Sequence, residues 1–320
     1  MNTLSDKFNN SNSIELKLLL NYLKSVNYKF ITISPSSHEK VNSRVENEFA
    51  KDLKGIFGWN RTFSLDILDE FMFHFIYSTD IVVKIEKGWK SQYRVSSLNQ
   101  QLFVHSAYPT IEEHAVFFGP DTYRFAYAIQ QYLLLNHKPV SRAVDIGTGS
   151  GVGAILIAST FPESEVVAVD INDEALYLAR INIEAAGLNN IRLRHSDLLN
   201  NVEGNFDLII ANPPFLLDPD ERTYRHGGGK LGSGLSLDIV DTALKRLNPE
   251  GTLLLYTGVA IVNGHDDFLE AVILKLKLGN FNYEYTEIDP DIFGEELENK
   301  EYMYVDRVAA IVLVAQKKSV

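Results

Sequence analysis

Between Arg142 and Thr257 short apolar runs alternate with helical periodicity, and a glycine-rich stretch follows the first of those runs. Alternation of this kind argues for a parallel α/β sheet, because parallel neighbours are joined by crossovers that are usually helices. The stretch is Val144-Asp145-Ile146-Gly147-Thr148-Gly149-Ser150-Gly151-Val152-Gly153, and an apolar helix opens after it at Ala154-Ile155-Leu156-Ile157-Ala158. Glycines at such a turn tolerate φ > 0 and let backbone N–H groups come close to a ligand. The helix dipole points at the same spot. Alone, the turn indicates a nucleotide or nucleoside site and nothing finer.

The pattern predicts strands over 142–146, 165–169, 191–195, 206–211 and 252–257, and helices near 152–160, 173–186, 234–247 and 266–278. Two further strands, 283–288 and 308–316, follow the last helix without another between them, which implies an antiparallel hairpin at the sheet edge. A helix from Asp121 to about Asn136 leads into this sheet.

Upstream the reading differs. Residues 1–12 are Asn/Ser-rich and read as a frayed tail. A helix is expected from Ser13, which can serve as its N-cap. A second is expected from His38 to about Leu53, with Val41, Val45, Phe49 and Leu53 at heptad-like spacing, and a third from Ser64 to Tyr77. Strands over 81–86 and 101–106 follow, with Lys87-Gly88-Trp89-Lys90 and the 93–98 segment between them. Three helices and a β-ribbon suggest a small winged-helix-like domain over 13–110, with a second domain over 111–320. Tyr108-Pro109 and Phe117-Phe118-Gly119-Pro120 mark the boundary.

Charge separates the two parts. Residues 1–110 carry 13 Lys+Arg and 11 Asp+Glu, so of the 30 basic and 42 acidic groups in the chain the rest holds 17 and 31. Nucleic-acid binding relies on basic surface that neutralises phosphates, and the part with the glycine turn has the opposite sign. The chain has no cysteine, which excludes disulfides and thiolate sites. With no signal-peptide pattern at the start and no apolar run long enough to span a bilayer, a cytoplasmic protein without membrane contact is expected.

Three carboxylates stand at expected strand ends: Asp145, Asp170 in Val169-Asp170, and Asp197 in Ser196-Asp197. Parallel strands end on one edge, so the three converge beside the glycine turn. Any one of them is as much at home as a helix N-cap or loop carboxylate; jointly they favour a site. Asp170 stands where an acidic residue accepts two ribose hydroxyls. The fourth strand ends in Asn212-Pro213-Pro214-Phe215. Two prolines stiffen that exit and hold the Asn212 side-chain carbonyl and the Pro213 carbonyl as fixed acceptors. A planar NH₂ group suits two acceptors and an aromatic face, here Phe215. A proline-capped turn is the plain alternative.

The ordered set Asp-Ile-Gly-Thr-Gly-Ser-Gly (145–151), Val-Asp (169–170), Ser-Asp (196–197) and Asn-Pro-Pro-Phe (212–215) resembles the class I S-adenosylmethionine-dependent methyltransferases. It is most similar to their Asn-Pro-Pro-Tyr/Phe, or "methyltransferase small", group, which includes release-factor glutamine methyltransferases and several rRNA and tRNA base methyltransferases. The resemblance covers about residues 117–317, and Gly119-Pro120-Asp121-Thr122 is similar to the Pro-Asp-Thr segment of the glutamine enzymes. It implies a Rossmann-like seven-stranded sheet with its last strand antiparallel. It also implies that Asp145, Gly147, Thr148, Gly149 and Gly151 line the methionine and ribose portion of S-adenosyl-L-methionine. Asp170 would bind the ribose, Asp197 the adenine amine, Ile171 and Leu198 would sandwich the ring, and Asn212 would stand at both cofactor and acceptor. Asn212, Pro213 and Phe215 would align the acceptor nitrogen, with no metal and no covalent nucleophile.

Phe118, Tyr123, Phe215, Arg225 and His226 are expected to meet the substrate. The last two flank Gly227-Gly228-Gly229, which reads either as a flexible cationic lid or as a solvated connector. His226 is either a proton acceptor or plain surface. The acidic loop 289–296 is placed across the same pocket. The preferred activity is N-methylation of an amino or amide nitrogen on a small molecule or protein side chain. The alternative is rRNA or tRNA base methylation, with Lys84, Lys87, Trp89, Lys90, Tyr93 and Arg94 of the ribbon gripping RNA. A cofactor-binding scaffold without turnover is a third reading.

Overall fold

The computed structural model describes residues 10–77, 79–136 and 138–319 of the 320. Helix α1 (Asn10–Ser25) starts inside the segment expected to fray; residues 1–9 lie outside the described residues. It is followed by α2 (Pro35–Asn42), α3 (Leu53–Phe57) and α4 (Glu70–Tyr77). The expected helix over 38–53 is therefore two helices with an irregular link. The Asn47 side chain donates to the Val41 carbonyl, and Asp52 caps α3 by accepting the Gly55 N–H. Val45 is 89% exposed, so the heptad-like spacing marks no core stripe. The expected helix over 64–77 also breaks: Leu68 is extended, and Asp69 caps α4 through the Met72 N–H.

In place of one ribbon there are two hairpins. Strand β1 (Val82–Ile85) pairs with β2 (Gly88–Ser91), and β3 (Tyr93–Leu98) pairs with β4 (Gln101–Ser106). Each strand found its partner across a two-residue turn, so among the described residues this part holds four α-helices and two hairpins, where three helices and a single ribbon were expected. Arg94, a member of the expected RNA grip, is buried in the process, and its Nε donates to the Ser106 carbonyl.

Helix α5 (Pro120–Leu135) leads to the sheet. It continues as β5 (Arg142–Ile146), α6 (Val152–Thr160), β6 (Glu165–Asp170), α7 (Asp173–Ala185), β7 (Ile191–His195) and β8 (Phe206–Ala211). Then come α8 (Gly234–Arg246), β9 (Leu247–Val262), the two-residue β10 (His265–Asp266), α9 (Asp267–Leu278), β11 (Phe281–Asp289) and β12 (Arg307–Lys317). The strand order is β11-β12-β9-β8-β5-β6-β7, with β10 folded back on β9. Pairings from β7 to β9 are parallel, and β12 runs antiparallel to both β9 and β11.

Alternation along the strands builds a core on each face. Val144, Ile146, Ile209, Ala211, Leu253 and Leu255 face α8 and α9. Ala143, Leu208, Ile210, Leu254 and Tyr256 face α5 and α6. The N-terminal part has no core to itself. Leu16, Leu19, Phe57, Phe63 and Val104 share one cluster with Ala175, Tyr177, Leu178 and Ile181 of α7.

Candidate active site

The strand ends open into one cavity of about 390 Å³, within the range of small-molecule sites. The glycine turn forms its floor, with φ of 69° at Gly147, 54° at Gly149 and 83° at Gly151. A Cβ added to Gly147 or Gly149 would meet no protein atom within 4 Å, so both face open space, and Thr148 lines the cavity beside them. Gly151 instead faces Ala179 of α7, whose Cβ would lie only 3.3 Å from a Cβ added there, and it lies outside the lining.

Asp145 is not at the cavity surface. It is 1% exposed behind the turn, where its Oδ2 accepts the Thr148 hydroxyl at 2.7 Å and the Ala154 N–H at 2.9 Å. Burial pushes its carboxyl up to about 6 against the pull of those two bonds. Gly153, a residue the motif reading did not single out, leaves room for this bracing: a Cβ there would be 2.8 Å from Asp145 Oδ2.

Asp170 lines the cavity and is held by the Gly149 N–H at 2.9 Å and the Asn172 N–H at 3.0 Å. Burial raises its carboxyl, and the backbone donors partly offset the rise. Ile171, Leu198 and an exposed Asp197 stand beside it on the rim. At the far end are Asn212, Pro213 and Phe215. Among the described residues the Asn212 side chain and the Pro213 carbonyl have no hydrogen-bond partner, and both border the cavity. The Phe215 ring, 7% exposed, rests against Gly258 and meets Phe293 edge-on at 5.8 Å. It is thus more wall than free stacking platform.

The stretch read as either a lid or a solvated connector is a packed knot of backbone. Gly227 N–H donates to the Leu216 carbonyl and Leu235 N–H to the Gly227 carbonyl, and a Cβ at Gly227 would lie 2.0 Å from the Gly232 carbonyl oxygen. Its cations are spoken for. Arg222 grips Asp218 with two N–H groups, holding that carboxyl below its ordinary range; Arg225 pairs with Glu296; Lys230 pairs with Asp267 at 2.6 Å. Arg225 still lines the cavity, whereas His226 turns away and its Nδ1 accepts the Asp218 N–H.

Phe118 and Tyr123 do not reach the cavity. Phe118 is wholly buried among Phe103, His105 and Tyr123, and the Tyr123 hydroxyl accepts the Thr32 N–H. The wall expected from them is built by Pro35, Tyr108, Pro109, Thr110 and Ile111, with Asp121, Thr122 and Phe125 of α5. Tyr224 ties this wall to the knot through its hydroxyl, which donates to the Thr110 carbonyl at 2.6 Å. Two traces of this wall stand in the sequence, the Tyr108-Pro109 break and the Pro120-Asp121-Thr122 segment.

The Methyltransferase small domain family matches residues 129–277. A ribosomal protein uL3 glutamine methyltransferase of Neisseria meningitidis is 41% identical over 132 residues, 37% of this chain and 43% of that protein. A release factor glutamine methyltransferase of Deinococcus radiodurans is 31% identical across 58% of this chain and 66% of its own length. One from Streptococcus pneumoniae is 27% identical across 71% and 78%. The chain spans less than half the length of the uL3 relative. Strand order, the glycine turn at the end of β5, Asp170 at the end of β6 and the Asn-Pro-Pro-Phe exit of β8 agree with the family match. Through residues 129–277 the chain is similar to the Methyltransferase small domain family, the group of methyltransferases that its ordered motifs resemble.

Proposed function

We propose that the chain N-methylates the side-chain carboxamide of a protein glutamine, with S-adenosylmethionine as the methyl donor. The observation that carries this reading is the unpartnered pair at the β8 exit, the Asn212 amide and the Pro213 carbonyl. A primary carboxamide offers two N–H donors in one plane, and both carbonyls are acceptors held on a proline-stiffened backbone. The relatives named for glutamine methylation support the same class of acceptor, and a cytoplasmic site of action goes with it.

The residues fit the cofactor. Gly147 and Gly149 leave a cradle that side chains would fill, and the Asp170 carboxylate stands between that cradle and the rim residues Ile171 and Leu198. Asp170 would hold the ribose hydroxyls, with Gly147, Thr148 and Gly149 along the methionine portion. When bound, the cofactor supplies an electrophilic methyl group. The chain's own work is alignment: Asn212 and Pro213 hold the nitrogen with its lone pair aimed, while Phe215, Phe293 and Leu235 keep water out.

Nucleic acid is the less favoured acceptor. Arg94 is buried and Lys87 is paired with Glu48 at 2.7 Å, so the expected RNA-gripping set is not one exposed surface. Cofactor binding followed by calorimetry should be lost in Asp170→Ala. Incubating a cell extract with the protein and methyl-labelled cofactor should place label in protein, as N-methylglutamine after digestion. Absence of binding by the native protein, or label confined to RNA, would sink the reading.

A further inference from the structure

Five charged side chains border the cavity: Asp170 and Asp197 at the nucleoside end, and Asp121, Arg222 and Arg225 at the other. Both arginines are committed, to Asp218 and Glu296. Asp121 is only half committed. Its Oδ1 accepts the Tyr256 hydroxyl at 2.5 Å and Arg124 Nη1 at 3.3 Å, whereas its other oxygen has no partner from another residue among the described residues. Its side chain is 7% exposed, and the residue lines the cavity.

The register places this carboxyl beside the acceptor motif. Leu255 of β9 is the partner of Ala211, so Tyr256, which grips Asp121, stands level with Asn212 on the adjacent strand. Neighbouring strands are about 4.8 Å apart. Ile210, Leu254 and Tyr256 all point to the α5 side, and Asn212 is next in that row after Ile210. The spare oxygen therefore opens at the acceptor end of the cavity, away from the nucleoside carboxylates.

Resting on the glutamine reading above, we propose that Asp121 is a further catalytic residue, whose free oxygen accepts an N–H of the acceptor nitrogen and takes its proton during transfer. The nitrogen lone pair forms the new N–C bond, the methyl–sulfur bond breaks with its electron pair left on sulfur, and one N–H proton passes to the carboxylate. The products balance as a neutral N-methyl amide, a thioether and a protonated Asp121. The proton needs a taker, because an amide nitrogen becomes strongly acidic once alkylated and the site is shielded from bulk water. Tyr256 and Arg124 fix the carboxylate from β9 and α5, and Asp289 of β11 holds Arg124 in turn at 2.8 Å. Burial raises the carboxyl against the pull of Tyr256 and Arg124, so protonation of Asp121 should cut the rate on the acid side.

The test compares the full-length protein with Asp121→Asn and Asp121→Glu. Calorimetry with S-adenosylmethionine alone should give affinities within about twofold of each other for the native protein and Asp121→Asn. Label transfer to extract protein should fall about 100-fold in Asp121→Asn, within the span usual for proton-transfer groups, and recover in part in Asp121→Glu. The native rate should decline toward acid pH, and that decline should vanish in Asp121→Asn. Loss of cofactor affinity in Asp121→Asn would overturn the proposal, since the carboxylate would then serve the cofactor. So would an unchanged rate or an unchanged acid limb. Tyr256→Phe, which leaves the carboxylate held by Arg124 alone, should shift that limb without abolishing transfer; no shift would count against the geometry. Failure of the parent reading shows separately, as absence of label with the native protein.

Discussion

Asn182 of α7 joins three parts of the chain with one buried amide. Its Oδ1 accepts the Val104 N–H at 2.8 Å, and its Nδ2 donates to the Val104 carbonyl at 3.1 Å and to the Ser150 carbonyl at 2.9 Å. Val104 lies in the second hairpin and Ser150 in the glycine turn, and Asn182 is 1% exposed. Asn182→Ala leaves one N–H and two carbonyls buried without these partners. Hydrogen bonds of this kind contribute about 1 kcal/mol each, and an orphaned buried group costs about 1–3 kcal/mol. A loss of about 3–5 kcal/mol is expected, about 4–7 °C in midpoint for a chain of this size. Asn182→Asp should cost more, because a carboxylate turns both donor contacts into repulsions and buries a charge. Thermal unfolding by calorimetry, with and without S-adenosylmethionine, measures both, and cofactor affinity should fall with stability because Ser150 loses its anchor. A loss below about 1 kcal/mol in Asn182→Ala would refute the claim that this amide joins the hairpin to the turn.

Asp145 gives a pH signature. Its folded carboxyl sits near 6, against an ordinary value near 4, so the native state keeps a proton that the unfolded chain releases between those values. The stabilisation is complete below about pH 4 and is lost as pH rises through 6, by about 3 kcal/mol. Asp145→Asn should erase that dependence, so native and variant urea-unfolding curves should diverge between pH 4 and 6.5; parallel curves would count against it. Gly227→Ala forces a Cβ toward the Gly232 and Pro214 carbonyls, and overpacking of this sort costs about 1–3 kcal/mol. Methyl transfer should suffer more than cofactor binding, because the knot backs Phe215 and not the glycine turn; equal losses in both would argue otherwise.

The centre of the sheet was legible because strands such as β5 and β8 are buried on both faces and read as continuous apolar runs bounded by turns. The strands over 142–146, 191–195 and 206–211 and the helix over 152–160 are those expected, to the residue. In the N-terminal part α1, β1 and β4 lie where they were expected, whereas the short helices between α1 and β1 were not legible, since their bounds are set by side chains such as Asn47, Asp52 and Asp69, whose capping a periodicity count cannot see. Within the site, backbone devices were readable from glycine and proline. Side-chain walls were not: Pro35 and Ile111 reach the cavity from elements whose docking depends on a core shared with α7. Arg225 and His226 looked like free cations because their partners Glu296 and Asp218 are contacts the spacing does not reveal.

That shared core bears on how the chain can be divided. A fragment beginning at residue 111 would keep the glycine turn, Asp170, Asp197 and the Asn-Pro-Pro-Phe exit, and it would also bare Ala175, Tyr177, Leu178 and Ile181 to water and remove Tyr108, Pro109 and Thr110 from the wall of the cavity. Such a piece would be sticky and open on one side. Shortening the chain therefore requires redesign of the outer face of α7 first, because that face is covered by the N-terminal part.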